Sequence, residues 1–224
     1  MQPQESCRQT EEVTLFEFSV VIAAKFNNPA ILNPDFLLYN EIVDSQYEVG
    51  DSLITTPAFS QVKYKNGISV TSTPDQVVFQ QAKSELNPDE ICTPSIAMRY
   101  MKCVPHVSYD AVGINPKGYS ANGHGNRVLN MLREDGAWSS FKDVSPAVTL
   151  KAAYDFGEKR IALEIFESQQ LQSSEKTTQT VFQANFHRES RGHNVDSRIK
   201  HLNSIVESWQ HDLREFFALV DKYR

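Results

Sequence analysis

At 224 residues, 40% of them hydrophobic and only three cysteine, the chain can bury a full core without metal or disulfide support, which excludes the small stapled scaffolds. A net charge of −6 at pH 7 excludes a uniformly basic nucleic-acid-binding surface. The acidic surplus lies wholly before His106, and residues 106–224 are balanced.

Cys7, Cys92 and Cys103 are an odd set with no C-x-x-C pair, which fits free thiols in a reducing compartment and a cytoplasmic protein. Residues 1–12 are polar and lack the apolar core of a signal peptide. No apolar run approaches membrane-spanning length, so no membrane association is expected.

After that polar tail, a single α+β domain is expected over residues 13–224. Thr14, Phe16, Phe18, Val20, Ile22, Ala24 and Phe26 alternate with a row that includes Glu17, Ser19 and Lys25, the period of a long strand with one buried face. Asn33-Pro34-Asp35 places a cap and then Pro at the first turn of a short helix. After a polar loop over residues 50–57, residues 58–65 and 68–73 alternate around Asn66-Gly67, a strong hairpin signal, and residues 77–81 complete a meander. Thr93-Pro94 opens a helix that runs through Cys103 and stops at Pro105.

The order then recurs. Residues 107–114 read as a strand ended by Asn115-Pro116, 126–134 as a short helix, and 147–156 and 161–166 as strands. The Gln-, Ser- and Thr-rich stretch over residues 167–179 reads as a surface loop, and 180–187 as the last strand. Three landmarks match between the halves: Asn27 with Asn115, Tyr64 with Tyr154, and Phe79 with Phe182. One reading is an internal duplication, pseudo-repeats 13–105 and 106–224, each strand, helix, three strands, helix. The other is chance agreement between two strand-rich halves.

The chain closes on an amphipathic helix from about Asp196. Ile199, Leu202, Val206, Trp209, Leu213, Phe216, Val220 and Tyr223 recur in three- and four-residue steps, and Ile205, Phe217 and Leu219 widen the stripe. Uninterrupted by Pro or Gly, it would run roughly 40 Å. A stripe this wide suits packing on the chain's own sheet better than a two-stranded zipper.

The expected fold is therefore α+β, an antiparallel sheet of about eight strands with helices on one face. In layout alone this resembles the saddle-shaped, twice-repeated fold of the TATA-binding protein. No stretch matches that family's residues, and its DNA binding is not carried over.

Catalytic signatures are missing: there is no Gly-x-Ser-x-Gly, no His-Glu-x-x-His, and Glu11-Glu12 and Glu134-Asp135 sit where solvated charges usually do. Cys103-x-x-His106 with His124 lacks the paired cysteines of a zinc site, so no metal or other cofactor is expected. The glycine-bearing run over residues 118–126 matches neither phosphate-binding fingerprint.

The leading expectation is a non-catalytic module that binds another protein, of unknown identity, or a second copy of itself. It would do so through its sheet face or through a C-terminal interaction helix bearing Trp209, Phe216 and Phe217. The alternative is nucleic-acid or anion binding through Arg188, Arg191, Arg198 and Lys200, in a cluster that ends at His201 and also holds His187 and His193. An enzyme whose signature is not legible is the third.

Overall fold

A computed structural model describes residues 13–120, 127–135, 147–172 and 175–223. In chain order the elements are β1 (Thr14–Lys25), α1 (Pro34–Tyr39), β2 (Ile54–Thr55), β3 (Ser60–Lys63), β4 (Ile68–Ser72), β5 (Gln76–Ala82), α2 (Thr93–Cys103) and β6 (Ser108–Ser120). They continue as α3 (Arg127–Asp135), β7 (Thr149–Asp155), β8 (Arg160–Gln172), β9 (Glu175–Glu189), α4 (Val195–Glu207) and α5 (Trp209–Tyr223).

All nine strands join one antiparallel sheet in the order β2-β3-β4-β5-β1-β6-β9-β8-β7. The extra strand over the expectation is β2, two residues that extend the β3 edge. Around the central β1–β6 pair the halves have mirrored orders: β3, β4, β5, β1 from one edge and β7, β8, β9, β6 from the other. Asn27 and Asn115 nevertheless do not correspond. Asn27 lies beyond the end of β1, whereas Asn115 lies inside β6, paired with Ser19.

The sheet buries one face under helices, as its period-two pattern requires. Phe18, Val20 and Ile22 of β1, Val112 and Ile114 of β6, and Phe182 and Phe186 of β9 are all fully buried there. Helix α4 packs on β6 and α2, and α5 on β6 and β9. Asn33 caps α1 by accepting from the Phe36 N–H at 2.8 Å, with Pro34 in the first turn. At the β3–β4 hairpin Gly67 takes φ +88°, a left-handed conformation that glycine adopts without steric cost.

Three local expectations are corrected. First, β6 runs through Pro116 to Ser120. The β6–β9 register is interrupted at Asn115 and Pro116, the place where the missing proline N–H would otherwise break the ladder. Second, residues 167–172 and 175–179 are not a loop. β8 and β9 continue as a paired arm from Glu167↔Thr180 to Gln172↔Glu175, because backbone pairing with Thr-rich strands needs no apolar face.

Third, the C-terminal helical stretch is two helices. Ser208 breaks it: its N–H and its hydroxyl both bond the Ile205 carbonyl, at 3.1 and 2.8 Å, in place of helical continuation. It starts at Val195, one residue before Asp196. Asn194 accepts from the Ser197 N–H, and the Ser197 side chain returns the bond in a capping box. Among the described residues no helix is long and apolar enough to cross a membrane.

Candidate functional site

The helix-free face of the sheet carries the alternate row of every strand. Glu17, Ser19, Val21 and Ala23 of β1 lie beside Ala111, Gly113, Asn115 and Lys117 of β6, and then Gln183, Asn185 and His187 of β9. With Ala162 and Glu164 of β8 and Lys151 and Ala153 of β7, they line an open trough of about 780 Å³. Its floor is made of short side chains. At Gly113 an added Cβ would meet the Asn185 carboxamide oxygen at 3.2 Å and the Asn115 amide nitrogen at 3.6 Å, so the two amides converge over the bare backbone.

A row of polar groups crosses one end of this floor. Gln80 donates to Glu17 at 2.7 Å and Lys117 pairs with the same carboxylate at 2.8 Å. Lys117 stands opposite Gln183, which donates to Glu164 at 2.8 Å. Lys151 then pairs with Glu164 at 3.1 Å. Each such half-exposed pair contributes roughly 0–1 kcal/mol. Their larger effect is on the charge of the face: two carboxylates and two ammonium groups cancel, so these residues leave it no net charge.

The basic cluster is dispersed instead. The Arg188 guanidinium turns to the helix side and grips the fully buried Asp212 carboxylate with bonds of 2.8 and 2.5 Å. Arg191 reaches Glu158 at 2.5 Å, and Arg198 lies 3.9 Å from Asp110, which also pairs with Lys25 at 2.7 Å. The expectation that Arg188, Arg191 and Arg198 present one exposed patch is therefore corrected. Each charge faces a different acid, and desolvation of Asp212 makes Arg188 indispensable to it. Lys200 is exposed on α4.

The proposed interaction helix is likewise redistributed. Phe216 is fully buried, Trp209 stands edge-on to Phe18 of β1 with centroids 5.2 Å apart, and Phe217 is half-buried against Phe216. Most of the apolar stripe is consumed by the chain's own sheet. Among the described residues no cluster of His, Cys, Asp and Glu has metal-binding geometry. His106 is exposed in the turn before β6, and His124 lies outside those residues. Of the glycine run, residues 118–120 belong to β6 and 121–126 lie outside the described residues.

The open sheet face was expected from sequence, but the trough in it was not. The signal for it was the composition of the second row: Ala23, Ala111, Gly113, Ala153 and Ala162 are small where a second helical layer would demand bulk. Comparison of the sequence with family models and with curated proteins gives no match.

Proposed function

We propose that this protein is a non-catalytic interaction module whose open sheet face receives a segment of another protein. The trough carries this reading: its floor of Ala, Gly and Val lets a backbone or helix approach closely, while Asn115, Asn185 and Gln183 offer uncharged hydrogen-bonding groups around it. Support also comes from charge. Glu17 and Glu164 balance Lys117 and Lys151, whereas a phosphate backbone is held by uncompensated cations. The occupant is accordingly an amphipathic segment with one apolar row and few charges. A repeated ancestral unit, supported by the mirrored strand orders, would explain a face built across both halves.

Affinity capture with the parent chain and with Ala162→Arg tests it. Arginine there projects from β8 into the trough without entering the core. A stoichiometric protein held by the parent and lost by the folded variant is the expected result. Equal capture by both, or retention of an oligonucleotide in a salt-sensitive manner that Ala162→Arg leaves untouched, would overturn the assignment to this face.

A further inference from the structure

Independently of that reading, we propose that β7 pairs edge to edge with β7 of a second copy, antiparallel and centred on Ala153. The two edges of the sheet are treated differently by the sequence. One ends in the two-residue β2, with Pro57 two positions on. The other ends in β7, seven residues with no Pro, Gly or bulge, and no strand partner on its outer side among the described residues. Edges of that length are commonly blunted by such devices or by charge; β7 carries only Lys151 and Asp155, charges that a facing copy can pair.

Hydrogen-bond phase says which groups the edge offers. Phe156 donates its N–H to the Lys159 carbonyl at 2.9 Å, closing the β7–β8 hairpin. Antiparallel ladders alternate, so Tyr154, Ala152 and Leu150 bond β8, while Asp155, Ala153, Lys151 and Thr149 point their N–H and C=O groups outward. A second β7 related by a two-fold axis perpendicular to the sheet meets this pattern in phase.

Charge then selects the register. With Ala153 opposite its own copy, Lys151 of each chain faces Asp155 of the other, twice over, on the open face. Neighbouring registers in the same phase set Lys151 against Ala153, with no ion pair, or against its own copy, with repulsion. Lys151 is 73% exposed and pairs with Glu164, and the Asp155 carboxylate is 67% exposed, 3.6 Å from Arg160 of its own chain and accepting from the Gly157 N–H; both side chains are reachable from outside, and Lys151 would then bridge Glu164 and the other copy's Asp155. The result is a continuous sheet with all helices on one side and the two troughs joined on the other. A strand edge of this length buries little area, so the dimer is concentration-dependent rather than permanent.

Sedimentation equilibrium of the full chain over a wide concentration range decides it. The parent's mass should rise toward that of two chains. Ala153→Pro removes an outward N–H only and should stay at the mass of one chain with unchanged circular dichroism. Lys151→Asp or Asp155→Lys alone should weaken association roughly tenfold, and the two together should restore it. A parent that stays monomeric throughout, a dimer indifferent to Ala153→Pro, or folded single reversals that the double exchange does not rescue would each overturn the proposal.

Discussion

Asp212 is fully buried, and its two bonds to Arg188 tie α5 to β9 at the point where the C-terminal helices settle on the sheet. Removing one partner strands the other in a dry site. Asp212→Ala should cost about 3–5 kcal/mol in urea unfolding, while Arg188→Met with Asp212→Leu should recover most of it, since paired burial is dear to break and cheap to replace. A second residue-scale prediction concerns the phenols. Burial pushes Tyr64 up to about 12 from its ordinary 10.0, and it pushes Tyr100 to about 12 as well. Both are raised, so the stability they contribute is complete below pH 10 and is lost as pH rises through about 12. Unfolding midpoints measured from pH 8 to 12 should fall at the alkaline end, and less steeply in Tyr100→Phe.

At the scale of elements, the parts that could be read were those with an apolar period or a turn signal. Phe18, Val20 and Ile22 announce β1, Asn66-Gly67 announces its hairpin, and Asn33-Pro34 announces α1, because in each case the residue type and the local geometry have one cause. The arm formed by β8 and β9 was not legible: its Gln and Thr residues carry no apolar alternation, and only pairing with the facing strand orders them. Nor was the break at Ser208, where no Pro or Gly stands and a hydroxyl competes with the helix for the Ile205 carbonyl. The break matters because it sets Trp209 beside Phe18 and Phe216 deep in the core. Phe216→Ala should therefore cost about 3–5 kcal/mol, and the half-buried Trp209→Ala distinctly less. Equal losses in chemical denaturation, or a larger one at Trp209, would contradict this division of the seam.

Across the whole molecule, the helices cover one face of a nine-stranded sheet and leave the other as a balanced, small-residue surface. The sheet face was one of three surfaces considered from sequence. The burial of Phe216 and the dispersal of Arg188, Arg191 and Arg198 draw weight away from the helix and the basic cluster and onto that face. Lys117 and Lys151 stand on it, whereas Lys102 and Lys222 belong to α2 and α5 on the opposite side. Lysine-directed covalent labelling of the protein, alone and bound to a captured partner, reads the two sides separately. The account predicts that Lys117 and Lys151 lose reactivity in the complex while Lys102 and Lys222 keep theirs; protection of Lys102 and Lys222 with Lys117 and Lys151 unchanged would contradict it.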